Sequence, residues 1–237
     1  MDENRVKMKI SEIRNDTNKV KTFKFVPVKG NIFEFLPGQF VMLYAGINDE
    51  EVGRAYSIAS SPLDKHFLEL TLELTPDGKL TTFFHKKAKV GDEFEISQPK
   101  GHFTYTEESG KDIVLIAGGS GVVPMRCMIK YCTQKNLDTK IILVYSAKTQ
   151  NDLIYRDELV KLAEKNSNLE IIYTLTRETG DWQGRKGRVD KELLSDIFSQ
   201  DKVFYLCGPI PFIRELGTIL KELGADRKNI KRDVWGA

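Results

Sequence analysis

The sequence has few cysteines, no long apolar run and almost no net charge. Its three cysteines, Cys127, Cys132 and Cys207, are too scattered for a disulfide framework and too few to ligate an iron–sulfur cluster. No apolar run approaches the roughly 18 residues that a membrane-spanning helix needs. The 36 Lys and Arg residues are balanced by 34 Asp and Glu residues, so no broad positive field is available to bind nucleic acid. We therefore expect no metal site, no membrane insertion and no nucleic-acid partner.

The N-terminal segment, MDENRVKMKI, also lacks the apolar stretch of a secretory signal peptide. This absence predicts a cytoplasmic protein. A length of 237 residues suits one large domain or two modest ones, and each of two would be long enough to bury its own core.

The first half of the chain reads as short strands separated by turns that contain glycine. The segment His66–Leu74 alternates strictly, so Leu68, Leu70, Leu72 and Leu74 fall on one face. Further strands are predicted at Lys21–Val26, Gln39–Tyr44 and Arg54–Ile58. Short strands at this spacing favour an antiparallel β-barrel.

After Gly110 the pattern changes to strands that alternate with helices. Most of the predicted strands are continuous apolar runs, as expected of parallel strands covered on both faces. They are Ile113–Ala117, Lys140–Tyr145, Glu170–Leu175 and Val203–Leu206, and the amphipathic segments between or after them are Asp152–Asn166 and Pro211–Leu223. This alternation predicts a doubly wound α/β domain with a parallel sheet. We place the N-terminal barrel at residues 1–108 and the α/β domain at residues 109–237.

The strongest local signal is the segment Arg54–Pro62, RAYSIASSP. The side chains of a strand alternate between its faces, so an arginine can meet a phosphate while hydroxyl groups beside it reach a flat ring. On these residues alone, the alternative is an ordinary strand with an exposed arginine.

With its surroundings, this segment resembles the flavin-binding signature of the ferredoxin–NADP⁺ reductase family. Pro37–Phe40 resembles the turn and strand that precede the signature, and Gly78–Phe84 resembles the second flavin element, in which a loop enters a helix. The free N–H groups of a helix N-terminus bind anions, and in that family they hold the FAD pyrophosphate. The implied FAD-binding residues are Arg54, Ala55, Tyr56, Ser57, Gly78, Lys79, Leu80, Thr81 and Thr82. The resemblance also gives Ser57 a catalytic place near the flavin N5, while Thr81 has the alternative role of a helix N-cap.

A glycine-rich turn directly follows the apolar strand that ends at Ala117. Glycines allow a tight turn and a close approach of the backbone to a pyrophosphate. The segment GGSGVVP is not the ordinary G-x-G-x-x-G fingerprint, but it resembles the nicotinamide-nucleotide motif GGxGxxP of the same family. The implied nucleotide-binding residues are Gly118, Gly119, Ser120, Gly121 and Pro124.

Two further segments, one after a predicted strand and one at the C-terminus, resemble segments of the same family. Cys207, Gly208 and Pro209 follow the VFYL strand, where the resemblance places them at the nicotinamide; a buried structural cysteine is the alternative. The ending Asp233-Val234-Trp235 is similar to a carboxylate-x-aromatic terminus, although it has Asp for Glu, Trp for Tyr and two extra residues. It implies a catalytic role for Asp233 and a flavin-covering role for Trp235, whose alternative is an apolar plug. The resemblance spans about residues 20–235.

The preference for one nicotinamide nucleotide depends on the groups that meet the ribose 2′ position. A 2′-phosphate needs cations and hydroxyl donors, whereas a free 2′-hydroxyl usually meets a carboxylate. Thr176-Arg177-Glu178 resembles the hydroxyl–Arg–Glu arrangement of NADPH users, and Arg185 follows in the same loop. We therefore predict NADP(H) in preference to NAD(H), bound through Thr176, Arg177 and Arg185. The alternative is a solvated loop rich in charge.

The resemblance implies an FAD-dependent oxidoreductase that passes electrons between NADP(H) and a one-electron carrier such as ferredoxin or flavodoxin. Protein groups supply binding and orientation in such enzymes, and the cofactor supplies the electron chemistry. The alternatives are an NADH-dependent reductase component of an oxygenase and a flavin or quinone reductase. A flavin-binding module without enzymatic activity is a third.

Overall fold

The computed structural model describes residues 5–235 of the backbone and the side chains up to Asp233. The chain divides into two compact units, Met1–Thr104 and Tyr105–Ala237. The second unit begins slightly before the predicted boundary because Tyr105 is buried in it. The hydroxyl of Tyr105 is 2.9 Å from Thr139 Oγ1, and its ring meets that of Tyr131 edge to face.

The first unit is an antiparallel six-stranded sheet in the order β4-β3-β6-β1-β2-β5. Its elements are β1 (Arg5–Thr17), β2 (Val20–Pro27), β3 (Phe40–Ile47), β4 (Glu50–Ser57), β5 (Leu68–Glu73), α1 (Lys79–Lys86) and β6 (Glu93–Ser97). The two outer strands meet just beyond β4, where Ile58 and Leu70 form a bridge and the Ala59 amide donates to the Glu69 carbonyl. The sheet thus closes on itself, and the predicted barrel is confirmed.

Strand β5 is buried on both faces rather than on one. Leu68, Leu70 and Leu72 are fully buried, as the alternating pattern predicts. Glu69 and Thr71 are buried as well, because polar groups from neighbouring strands cover them. Thr71 Oγ1 lies 2.6 Å from Thr22 Oγ1, for example. Burial of a polar face is possible only where such partners exist, and the alternation of the sequence does not reveal them.

The second unit is a parallel six-stranded sheet in the order β10-β9-β8-β7-β11-β12. Its strands are β7 (Asp112–Gly118), β8 (Lys140–Ala147), β9 (Leu169–Leu175), β10 (Arg185–Lys186), β11 (Val203–Pro209) and β12 (Ile230–Trp235). Its helices are α2 (Val122–Gln134), α3 (Arg156–Lys165), α4 (Lys191–Ile197) and α5 (Ile210–Glu222). The predicted doubly wound domain is confirmed. Within residues 5–235, no helix is long and apolar enough to cross a membrane.

The strand order of the second unit reverses at its centre. The chain runs outward from β7 through β8 and β9 to β10, and then returns to place β11 and β12 on the other side of β7. In open α/β sheets, ligands bind beyond the carboxyl ends of the strands at such a reversal. The helices that flank this point are held by the core; on α5, for instance, Ile213, Leu216 and Leu220 are buried. A ligand-binding site is therefore expected at the carboxyl ends of β7 and β11.

Candidate functional site

Arg54, Ala55, Tyr56 and Ser57 occupy the second half of β4 and end the strand. Arg54 is exposed and donates only to the carbonyl of Gly53, at 2.7 Å, so its guanidinium has no carboxylate partner in the described part of the chain. Burial raises the pKa of Tyr56, although the charge of Arg54 partly opposes this shift; the hydroxyl stays protonated. A free guanidinium beside a neutral phenol suits a phosphate and a flat ring.

Ser57 carries the clearest sign of a missing partner in the first unit. The residue is buried, and its Oγ has no hydrogen-bond partner among the described residues. A buried hydroxyl without a partner loses its hydration without compensation, and such groups are rare in folded proteins. The observation fits a bound group that supplies a polar atom at this position, as the flavin ring would.

The second flavin element is built as a tight loop before helix α1. A Cβ on Gly78 would lie 2.2 Å from Thr75 Oγ1 and 2.4 Å from Thr81 Oγ1, so only glycine fits. Gly78 is the N-cap of α1, and the alternative that Thr81 caps the helix is wrong. Thr81 lies in the first turn, where its Oγ1 is 3.1 Å from Thr75 Oγ1. Leu80 is buried, so its backbone N–H is the group that it offers to a ligand.

The first-turn amides of α1 lack intrahelical acceptors, as at every helix start. Lys79, Leu80 and Thr81 contribute them, and the helix dipole adds to their attraction for an anion. Lys79 pairs with Glu50 at 3.0 Å, and Thr82 is half-buried. The element thus fits the pyrophosphate of FAD.

The glycine-rich turn connects the centre of the second sheet to helix α2. Gly118 ends β7, and Gly119–Gly121 form a single turn of 3-10 helix. Gly119 has φ +57° with open space where its Cβ would be. A Cβ on Gly121 would lie 2.1 Å from the carbonyl oxygen of Cys207. Gly119 and the half-buried Ser120 therefore leave the backbone open to a ligand, while Gly121 allows the turn to pack against the end of β11.

Pro124 and the Cys207-Gly208-Pro209 segment complete this edge of the sheet. Pro124 is the third residue of α2, where its missing N–H breaks no helical hydrogen bond. Gly208 has φ +152° and would place a Cβ 3.1 Å from the carbonyl oxygen of Gly118. The structure thus brings the predicted glycines of β7 and β11 together at the reversal of the strand order.

Cys207 and Asp233 are partners across the parallel pair β11 and β12. The buried thiol of Cys207 donates to Asp233 Oδ2 across 4.0 Å, and Asp233 is half-buried. Two of the three predicted catalytic residues are therefore adjacent; the third, Ser57, belongs to the other unit. The side chain of Trp235, predicted to cover the flavin, lies outside the described residues.

A cleft of about 370 Å³ opens at the carboxyl ends of β8, β9 and β11. Its lining residues are Ser146, Thr176, Arg177, Gly187, Arg188, Val189, Pro209, Pro211, Phe212 and Glu215. The amide and Oγ1 of Thr176 both donate to the Ala147 carbonyl, and the Arg177 amide donates to the Lys148 carbonyl. The Arg177 side chain is exposed and unpaired among the described residues. A free cation beside a hydroxyl at this position suits an anionic ligand.

Glu178 supports the loop that carries Arg177. Its carboxylate accepts from the amides of Gln150 and Gly180, both at 2.8 Å. These backbone donors hold the pKa of Glu178 below its ordinary value. Because its oxygens are engaged in this way, Glu178 orders the loop rather than facing the cleft.

The structure does not bring the predicted pair Arg177 and Arg185 together in the cleft. Arg185 donates to Asp190 at 2.5 Å and is not among the lining residues. Arg188 lines the cleft instead, opposite Glu215 on α5. Neither Arg188 nor Glu215 was among the residues predicted from the sequence. The one available signal was the spacing of Phe212 and Glu215, which places both on one helix face just after the Cys-Gly-Pro segment.

Two domain families match the chain. The oxidoreductase FAD-binding domain matches residues 7–105, and the oxidoreductase NAD-binding domain matches residues 115–217. Among curated relatives, the glycine betaine monooxygenase reductase subunit of Chromohalobacter salexigens is 29% identical over 231 residues, covering 95% of this chain. NADH-cytochrome b5 reductase 1 of Mortierella alpina is 28% identical over 212 residues, covering 87% of this chain and 71% of the relative. The chain spans 63% of the length of the betaine monooxygenase reductase subunits.

Solved structures share the fold over nearly the whole chain. The FAD- and NAD-binding domain of a nitric oxide dioxygenase from Vibrio cholerae superposes with a TM-score of 0.90 at 21% identity, covering 99% of this chain and all of that one. A ferredoxin NADP⁺ reductase from Neisseria gonorrhoeae gives a TM-score of 0.82 at 23% identity, with 98% of each chain covered. At these identities the likeness shows the fold alone.

Proposed function

Because this chain combines an oxidoreductase FAD-binding domain with an oxidoreductase NAD-binding domain, we propose that it is a member of the ferredoxin–NADP⁺ reductase family and passes electrons between NADP(H) and a one-electron carrier by way of bound FAD. The observation that carries the proposal is the orphaned Ser57 hydroxyl at the end of the RAYS strand. The carrier is a small protein such as ferredoxin or flavodoxin, or the redox component of an oxygenase.

The residues of the first unit hold FAD through its pyrophosphate and its flavin ring. The unpaired guanidinium of Arg54 neutralises phosphate, and the first-turn amides of α1 receive the pyrophosphate. Tyr56 and Ser57 orient the ring, with Ser57 Oγ donating toward or accepting from its polar edge. Bound FAD supplies the conversion between two-electron and one-electron transfer.

The residues of the second unit hold the nicotinamide nucleotide beyond the carboxyl ends of the strands. Gly118–Gly121 and the start of α2 receive the pyrophosphate, as a glycine-rich turn followed by a helix does elsewhere. Cys207 lies at the neighbouring strand end and aligns the nicotinamide. The Asp233 carboxylate accepts a hydrogen bond from the Cys207 thiol and can take up its proton. The pair therefore holds an exchangeable proton beside the nicotinamide.

The preference for NADP(H) over NAD(H) rests on the charge of the cleft. Arg177 and Arg188 both line it, together with one carboxylate, Glu215, which pairs with Arg188. Two guanidinium groups attract a 2′-phosphate, which an adenosine with a free 2′-hydroxyl lacks. The proposal keeps Arg177 from the prediction made on sequence and adds Arg188.

A second candidate function is an NADH-dependent reductase component that serves an oxygenase. Two observations favour it: a relative is named a monooxygenase reductase subunit, and Glu215 offers a carboxylate that a ribose 2′-hydroxyl can meet. The two candidates differ in nucleotide and acceptor, while the residues that hold FAD are the same.

The test is an absorbance spectrum of the purified protein, followed by anaerobic titration with NADPH and with NADH. We expect a yellow protein that is bleached by either nucleotide, at a lower concentration of NADPH. A colourless protein that does not take up added FAD would overturn the proposal. Bleaching at a lower concentration of NADH would select the second candidate.

A further inference from the structure

The cleft of the second unit combines two arginines with one carboxylate. Arg177 forms no ion pair in the described part of the chain, and Arg188 Nη1 lies 3.5 Å from Glu215 Oε2. No hydrogen bond accompanies that contact. The carboxylate therefore neutralises part of the positive charge that an anionic ligand would meet.

Hydrogen bonds hold the backbone next to Arg188, whereas the Arg188 side chain is exposed. The preceding residue, Gly187, donates its amide to the Leu175 carbonyl at 2.9 Å and accepts from Thr174 Oγ1 at 2.7 Å. The Arg188 side chain is 80% exposed. Exposed ion pairs without good geometry contribute little, so a more highly charged anion in the cleft can take Arg188 from Glu215.

Glu215, in contrast, stays at the cleft whether or not Arg188 is bound to it. Its helix is anchored in the core on the opposite side by Leu216 and Leu220, both at most 1% exposed. Once Arg188 turns to a ligand, the carboxylate faces that ligand uncompensated. It repels a phosphate and accepts a hydrogen bond from a hydroxyl.

We propose that Glu215 is a specificity-determining residue that weakens the binding of a 2′-phosphate by holding Arg188 and by opposing the phosphate charge. Arg188, rather than Arg185, is the second cation of the phosphate subsite. This inference rests on the proposed function, because it requires that the cleft receives the adenosine ribose of a nicotinamide nucleotide.

The experiment measures the binding of adenosine 2′-monophosphate and adenosine 5′-monophosphate to the purified full chain by calorimetry. The variants are Glu215→Gln, Arg188→Ala and Arg185→Ala. Glu222→Gln is the matched control, since Glu222 lies on the same helix, is similarly exposed and pairs with Lys191 at 3.0 Å outside the cleft. The ratio of kcat/KM for NADPH to that for NADH is determined for the same proteins.

We expect Glu215→Gln to bind the 2′-monophosphate about three- to tenfold more tightly, and Arg188→Ala about tenfold more weakly, the size of one charge-assisted contact. Binding of the 5′-monophosphate should change less than about twofold, and the nucleotide ratio should follow the 2′-monophosphate. Glu222→Gln should match the unmodified chain in each measurement.

Three results would overturn the inference. One is that the unmodified chain and Glu215→Gln bind adenosine 2′-monophosphate with equal affinity, or that neither binds it measurably. Another is an equal gain in Glu222→Gln, which would indicate a general charge effect. A third is a loss in Arg185→Ala without a loss in Arg188→Ala.

The binding assay needs neither flavin nor turnover, so the two proposals can fail separately. A Glu215 effect on 2′-monophosphate binding in a protein that does not oxidise NADPH would reject the proposed function alone. Normal NADPH oxidation with a silent Glu215→Gln variant would reject only the role of Glu215.

Discussion

At the scale of single residues, the Ser57 hydroxyl destabilises the apoprotein and contributes to the binding of FAD. Its buried hydroxyl has no partner among the described residues, and burial of an unpaired hydroxyl costs about 1–3 kcal/mol. Ser57→Ala should therefore leave the stability of the apoprotein unchanged or raise it by up to about 1 kcal/mol. It should lower the stability that added FAD confers. Urea unfolding with and without FAD measures both effects, and an equal loss in the two states would contradict the assigned role.

Arg54 makes the second prediction at this scale. Its guanidinium has no carboxylate partner in the described chain, so Arg54→Ala should not change the melting temperature of the apoprotein. The loss of one charge-assisted phosphate contact should weaken FAD binding by roughly 1.5–3 kcal/mol, about ten- to a hundredfold. Arg54→Lys keeps the charge without the planar fork and should fall between the two. FAD affinity is measured by fluorescence titration, and unchanged affinity in Arg54→Ala would remove Arg54 from the site.

From the sequence, site residues could be proposed where they form a contiguous motif, but not where they depend on tertiary placement. RAYS and Cys-Gly-Pro are contiguous and end strands, so their positions follow from the strand pattern. Arg185 lies in the short strand β10 and Arg188 follows it three positions later, and the pairing of Arg185 with Asp190 separates their roles. Glu215 lies on α5, a different element from either arginine, and its one signal in the sequence is its helical spacing from Phe212.

At the scale of elements, the glycine-rich turn separates packing from ligand access. A Cβ on Gly121 would meet the backbone of Cys207 and Gly208 at 2.1–2.9 Å, which cannot move aside cheaply. Gly121→Ala should destabilise the protein by about 3 kcal/mol. Gly119→Ala meets no atom within 4 Å but must adopt φ +57°, which costs about 1–2 kcal/mol. Urea unfolding followed by circular dichroism compares them, and equal losses would contradict this account of the turn.

Elements that are buried on both faces were the easiest to predict from sequence. The apolar runs of β7, β8 and β11 predicted these strands to within three residues at each end. Strand β12 was not predicted, because Lys231, Arg232 and Asp233 make its sequence look like a polar tail. It is one of the two outer strands of the sheet and pairs only with β11, so charged residues are tolerated there.

At the scale of the whole molecule, the net charge of +2 is too small to steer a partner from a distance. A local patch must do so. The end of α1 and the loop after it provide one, with Lys86, Lys87 and Lys89 exposed and free of ion pairs among the described residues. We define these three lysines as the basic patch. An acidic electron carrier, such as a ferredoxin of net negative charge, would be attracted to it.

Charge reversal of the basic patch tests this docking prediction. Lys86→Glu with Lys87→Glu should slow the reduction of an acidic ferredoxin at low salt by about tenfold or more, because steering of this kind acts on the association rate. The difference from the unmodified chain should shrink as salt rises, since ions screen exposed charges. Reduction of ferricyanide, a small acceptor that needs no docking surface, should remain within about twofold, the scatter expected for a surface change that leaves the fold intact.

The matched control reverses two lysines on the exposed face of α3. Lys161→Glu with Lys165→Glu makes the same change in net charge in the second unit, at positions that are likewise exposed and free of ion pairs among the described residues. If it slows the ferredoxin as much as the patch variant does, the effect belongs to net charge and the basic patch is not a docking surface. If the patch variant loses ferricyanide reduction in equal measure, the substitutions disturb α1 and its first-turn amides, and the defect lies in FAD binding instead.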